Sequence, residues 1–131
     1  MLELASYDYA VVRVVPRVER EEFINAGVIV FCRTRRYLGA RVELDRARLA
    51  ALAPDLDPEE AREIERHLAV IPTICAGGRG AGPIGALTLA ERFHWLVAPH
   101  STVVQTSRAH CGLCDDPAAT LDHLMARLVR G

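Results

Sequence analysis

The order of strand-like and helix-like segments predicts an α+β fold, with an antiparallel sheet of about four strands and helices packed against it. Three strand-like segments come first, helical segments follow, and one further strand and helix come last. A parallel βαβ sheet would instead alternate strands and helices throughout. The 131 residues fit one domain, residues 1–131, and half of them are apolar, which is enough for a substantial core.

Each predicted strand has its own pattern. Tyr7–Val15 and Ala26–Cys32 are apolar on both faces, which is typical of strands covered on both sides. Tyr37–Leu44 alternates apolar and polar residues after a polar turn, so it should form a hairpin with the preceding strand and expose one face. The β-branched residues of Ser101–Ser107 predict a fourth strand.

Four capping patterns predict where the helices begin. In each, an Asp or Thr oxygen can accept hydrogen bonds from the unpaired amides of the first turn. Within the second helix Pro72 removes an amide donor, so that helix should kink or stop there. The five glycines of residues 76–85 predict a mobile loop before the third helix. The predicted caps are Asp45, Asp57, Thr88 and Asp116.

Composition excludes several classes of function. All 16 basic residues are arginine, so a catalytic lysine and a lysine-bearing phosphate loop are excluded. The net charge of −1 gives no general attraction to nucleic acid or to membranes. No apolar stretch is long enough to span a membrane and no signal-peptide pattern occurs, so we expect a cytoplasmic protein with four free thiols.

Arginines cluster around the predicted hairpin. Guanidinium groups clustered in this way suit phosphate or nucleic acid. The hairpin lacks the interleaved aromatic residues of a base-stacking surface, so a solvated charged hairpin is favoured and nucleic-acid or phosphate binding is the first alternative. The phosphate-binding candidates are Arg33, Arg35, Arg36 and Arg41, with Arg46 and Arg48 nearby.

Cys111 and Cys114 have a spacing that can bind zinc or support thiol exchange, with His94, His100 and His110 as further possible ligands. Only one such cysteine pair exists, and the βαβ context of a thioredoxin is missing. We therefore predict no metal and no cofactor. A zinc, redox or small-enzyme role for these residues is the second alternative.

The segment Gly80–Gly85 matches a dinucleotide-binding fingerprint in its letters alone. The capping box places the next helix start at Thr88, Pro83 occupies the turn, and no acidic residue lies about 20 positions further on. A loop is the better interpretation of these glycines.

Arg13 interrupts an apolar strand, so its guanidinium must be paired or must face a cleft. Glu22 and Asn25 are its expected neighbours if the connector folds back. A buried ion pair and a ligand site are both open.

The helix that begins at Thr88 carries Arg92, His94 and Trp95 on its less apolar face, with the Trp95 ring expected over the sheet edge. His94 could act as a general base, but no nucleophile stands at a diagnostic spacing. No catalytic residue is predicted.

Three groups of residues occur in order along the chain. The first is Tyr9, Arg13, Pro16, Arg20, Glu22, Phe23, Asn25, Gly27 and Val28. The second is Arg92–Pro99 with Ser101–Gln105, and the third is His110, Gly112, Leu113, Asp116 and Pro117. Together they resemble the bacterial family called domain of unknown function 3037.

The resemblance implies no established activity or cofactor. Members of that family are often encoded beside a HipA-like kinase-fold protein, which implies a role as a partner. We therefore expect a non-catalytic accessory or protein-binding module. The candidate ligand- or partner-binding residues are Arg13, Glu22, Asn25, Arg92, His94 and His110.

Overall fold

The structure is a computed structural model that describes residues 3–99 and 102–131. The strands are β1 (Ala5–Val14), β2 (Ile24–Cys32), β3 (Tyr37–Val42), β4 (Val104–Thr106) and β5 (His110–Cys114). The α-helices are α1 (Arg46–Leu52), α2 (Pro58–Ala76), α3 (Leu89–Val97) and α4 (Pro117–Leu124). Short 3-10 turns cover Val18–Arg20 and Arg79–Ala86, and a π-helical turn, Met125–Val129, extends α4.

The strands form one antiparallel sheet in the order β3-β2-β1-β4, and β5 also pairs with β1. β1 is long enough to pair with β2 along one side and with β4 and then β5 along the other. The predicted α+β class with an antiparallel sheet is confirmed. Among the described residues, no helix has the length and apolarity that crossing a membrane requires.

Helices cover both faces of the sheet. On one face Val12, Ile29 and Phe31 pack against α2 and α3, and the Phe31 and Phe93 rings stack with centroids 5.2 Å apart. On the other face Val28 and Val30 pack against α4 and its π-helical turn. Because successive strand residues point to opposite faces, β2 is buried on both, as its apolar sequence predicts.

The helix starts agree with the predicted caps. Asp45, Asp57, Thr88 and Asp116 each accept a hydrogen bond from an amide of the first turn. Of the two outcomes expected at Pro72, a kink or a stop, the stop does not occur, since α2 continues to Ala76. Proline costs one backbone hydrogen bond there, whereas the buried side chains of Leu68, Ile71 and Cys75 hold both sides of it in the core.

The last part of the sheet differs from the prediction. Only Val104–Thr106 of the expected fourth strand is extended and paired, and Ser101 lies outside the described residues. A fifth strand, β5, follows in a segment for which no strand was predicted. The glycine-rich segment is not an open loop but a pair of 3-10 turns, closed by a hydrogen bond from the Gly78 amide to the Gly85 carbonyl at 3.3 Å.

Candidate functional site

Arg13 lies in a polar row that crosses three strands. Its direct cross-strand neighbours are Asn25 in β2, as expected, and Gln105 in β4. The Arg13 guanidinium carbon lies 4.3 Å from the centroid of the Phe23 ring, a cation–π distance. The Asn25 side-chain amide donates to the Leu128 carbonyl at 3.0 Å, which ties this row to the end of the last helix.

The expected contact between Arg13 and Glu22 is not formed. Glu22 pairs with Arg20, and that guanidinium holds the pKa of the Glu22 carboxyl below its usual range. Arg13 Nε and Asn25 Oδ1 are both buried, and neither has a hydrogen-bond partner among the described residues. The Arg13 guanidinium therefore lies against the Phe23 ring and opposite Asn25, and no carboxylate pairs with it among the described residues.

Arg92 is not on an open face of its helix. It is 8% exposed, and its guanidinium donates to the carbonyls of Ile74 at 3.0 Å, Cys75 at 2.8 Å and Leu87 at 3.1 Å. Those first two carbonyls end α2, where a helix has unpaired acceptors and the negative end of its dipole. Arg92 therefore joins the end of α2 to the start of α3.

The two histidines lie in different layers. His94 is exposed on α3, which covers one face of the sheet. His110 is in β5, and its ring lies 5.3 Å from that of Tyr9, which packs on the opposite face with α4. The structure therefore brings His110 to the same face as the Arg13 row and leaves Arg92 and His94 on the other side.

The two cysteines of the predicted pair cannot share one metal ion. Three positions apart in β5, they point to opposite faces, so Cys111 is exposed and Cys114 is buried beside Cys32. Burial, with the neighbouring Cys32 thiol, raises the pKa of Cys114, which disfavours the thiolate needed for exchange. Within residues 3–99 and 102–131 no three His, Cys, Asp or Glu side chains form a metal-binding group, and His100 lies outside that part.

Four of the six arginines around the hairpin form hydrogen bonds or ion pairs with other parts of the fold. Arg41 pairs with Asp122 at 2.7 Å, Arg46 pairs with Glu65, and Arg48 donates to the Val129 carbonyl at 3.0 Å. These contacts join neighbouring elements of the fold. Arg35 donates to the Glu3 carbonyl at 2.5 Å, and the Arg33 guanidinium carbon lies 5.9 Å from the Phe31 ring centroid. Arg33, Arg35 and Arg36 are exposed at the turn, and their charges have no carboxylate partner among the described residues.

A groove runs between α2 and the edge of the sheet. Two cavities of about 420 and 280 Å³ form it, and His67 and Thr102 line both. We call it the α2–β4 groove. It is defined by Glu60, Glu63, His67, Val70, Trp95 and residues 102–106.

Apolar side chains that the core does not use line one end of this groove. Val70 is 49% exposed and Trp95 is 44% exposed, and both face the cavity beside β4. Trp95 thus lies at the sheet edge, as expected. Val70 falls outside the buried stripe of α2, and that position is the signal by which the sequence could have indicated this surface.

The other end of the groove is acidic. Glu60 and Glu63 line the larger cavity, and no arginine lines either cavity although the chain has sixteen. Sequence reasoning missed this site because its two walls, residues 60–74 and 102–106, are far apart along the chain.

No curated protein and no solved structure matches the chain. The family model described as protein of unknown function (DUF3037) matches residues 9–129, which is nearly all of the chain. The matched range contains β1 from Tyr9 onward, the other four strands, the Arg92 contacts and the groove described above. The chain therefore belongs to the DUF3037 family.

Proposed function

We propose that this chain is a non-catalytic accessory domain that binds another protein through the α2–β4 groove. The observation that carries the proposal is the exposure of Val70 and Trp95 on the wall of this groove. Isolated exposed apolar residues are ordinary, whereas apolar residues gathered at a concave surface indicate a binding site. Tryptophan in such a position is typical of the few residues that dominate interface energetics.

The rest of the molecule supports binding more than catalysis. The candidate acid–base residues His94 and His110 lie in different layers, and the Cys114 thiol is buried with a raised pKa. Nucleic-acid or phosphate binding by the arginine hairpin is less favoured, because Arg41, Arg46 and Arg48 form contacts within the fold. We place this accessory role in the bacterial cytoplasm, and the family resemblance favours a HipA-like kinase-fold protein as the partner.

The test is site-specific photo-crosslinking in the producing cells. Val70→p-benzoylphenylalanine places the crosslinker on the groove, and Arg62→p-benzoylphenylalanine places it on the same helix but outside the groove. We expect one reproducible protein adduct from position 70, and its loss when Trp95→Ala is added. Adducts of equal yield from both positions would contradict the proposal. An adduct with nucleic acid would instead favour the arginine hairpin.

A further inference from the structure

The strand at the rim of the groove is an edge strand. Val15 and Ser107 donate their amides to Val103 and Val11 at 2.6 and 2.8 Å, so alternate residues of this segment bond to β1. In an antiparallel pair the intervening residues direct their N–H and C=O groups away from the partner. The backbone groups of Val104 and Thr106 therefore face the open side of the sheet.

This edge lacks most of the features that prevent strands from pairing. Proteins commonly protect edges with charged residues, proline or bulges, or by keeping the edge strand short; β4, Val-Gln-Thr, has only the last of these features. Among the described residues two contacts cover this rim: the Thr102 hydroxyl donates to the Val104 carbonyl at 2.7 Å, and the Gln105 side-chain amide donates to the Thr102 carbonyl at 2.7 Å. Because β4 has only three residues, an added strand would also need side-chain contacts with the groove.

The dimensions of the groove suit an extended chain. Its helical wall runs from Glu60 to Ile74, which corresponds to about 21 Å of helix. A strand of six or seven residues has about that length. A helix lying in the groove would leave the open backbone groups of β4 unpaired, and an extended segment would pair with them.

The charge of the groove determines which side chains are favoured in a bound segment. Glu60 and Glu63 lie at the end near Thr102 and Val103, and the apolar Val70 and Trp95 lie at the end near β4. Both carboxylates already contact surface arginines, but such exposed pairs contribute little and exchange partners easily. A basic side chain is therefore favoured at one end of the bound segment and an apolar one at the other.

We propose, on the basis of the proposed function, that the α2–β4 groove binds an extended segment of a partner protein that adds to β4 as a new antiparallel strand. Antiparallel pairing is the more stable arrangement. In that direction the segment passes Trp95 first and the two glutamates last. Its apolar anchor therefore precedes its basic residue in sequence.

The probe is a phage-displayed library of random heptapeptides, selected against three proteins. These are the wild type, the Glu60→Gln/Glu63→Gln variant and the matched control Glu59→Gln, whose carboxylate bonds Arg62 and Arg66 and does not line the groove. Wild type and control should both enrich peptides in which an apolar residue precedes an arginine or lysine. The double variant should lose the basic preference, and the same preference in all three proteins would overturn the charge assignment.

The strand itself is tested with the best peptide, synthesised with single N-methyl groups and titrated by the fluorescence of the single tryptophan, Trp95. N-methylation of the amides that face β4 should weaken binding about tenfold, and methylation of the alternate amides should have little effect. Equal effects at both sets would show that no strand is added. If both sets of N-methylated peptides bind alike but Val70→Asp abolishes peptide binding, the peptide occupies the groove without adding a strand. The proposed function then stands, and only the added strand is contradicted.

Self-association gives a separate outcome. Sedimentation of the wild type should show a monomer. A dimer that Val70→Asp dissociates would overturn the inference, because the occupant would then be a second copy of this chain.

Discussion

At the end of α2 the buried Arg92 guanidinium is bonded to three carbonyls, whereas along the side that faces β4 the same helix leaves Val70 half exposed. Both surfaces contain features that look costly in a sequence, a charge inside the core and an apolar side chain in water. At the end of α2, three carbonyls of the chain accept the hydrogen bonds of the buried guanidinium. At the second surface, exposure persists beside an open strand edge, which is the property of a surface that binds something else.

Replacement of Arg92 should have the largest effect on stability. Arg92→Met keeps much of the side-chain volume but leaves the Cys75 and Leu87 carbonyls without this donor, and leaves the Ile74 carbonyl with the Gly77 amide alone. Unpaired buried polar groups cost about 1–3 kcal/mol each, so we expect a loss of about 3 kcal/mol or more in the free energy of unfolding, measured in urea. A loss below about 1 kcal/mol would mean that Arg92 is available for another role.

The glycine-rich turns beside Arg92 should also resist substitution. A Cβ atom at Gly85 would lie 2.1 Å from the Gly78 carbonyl oxygen, so Gly85→Ala should destabilise by about 1–3 kcal/mol. Gly80→Ala is the matched control, because its Cβ would meet only a Thr73 methyl group at an ordinary 3.9 Å. Equal unfolding midpoints for the two variants would contradict the packed arrangement of this segment.

The thiol of Cys75 at the same helix end gives a smaller, pH-dependent effect. Burial raises its pKa to about 12, and Arg92 partly opposes that rise. The unfolded thiol ionises at about 8.5, so its contribution to stability is complete below that pH and is lost as pH rises toward the folded value. Between pH 8 and pH 10 the wild type should therefore lose about 1–2 kcal/mol from this group.

The control is Cys75→Ala, whose stability should fall less over the same pH interval. Parallel stability curves for the two proteins would show that this thiol is not held in the core.

The groove side should behave in the opposite way to the Arg92 end. Val70→Asp should change the free energy of unfolding by no more than about 0.5 kcal/mol, because the side chain is half exposed. The same change should abolish the crosslinked adduct at the groove. Because position 70 is now aspartate, the crosslinker is placed at position 67, which also lines the groove. A Val70→Asp variant that unfolds would place Val70 among the core residues instead.

What the sequence predicted well depends on local patterns. The buried strand β2, the four helix caps and the capping box at Thr88 need only neighbouring residues. β5 was missed because it is short and contains a glycine, and its extended form depends on pairing with β1 about a hundred residues earlier.

The functional residues show the same limit. Arg92 was misread because the Ile74 and Cys75 carbonyls that bind it come from another helix. The pairing of Arg13 with Asn25 was predictable from their adjacent strands, whereas the contact with Phe23 was not. The groove required knowledge of how α2 lies against β4, and only the off-stripe position of Val70 hinted at it.

Amide hydrogen exchange is the most direct test of the central claim that the groove and its strand edge form the binding surface. In the free protein the outward-facing amides of Val104 and Thr106 should exchange faster than that of Gln105, which faces β1. Saturation with the selected heptapeptide should slow exchange at Val104 and Thr106 and leave the helix end at Arg92 unchanged. Protection at Arg33–Arg36 instead, with no change in β4, would contradict the account.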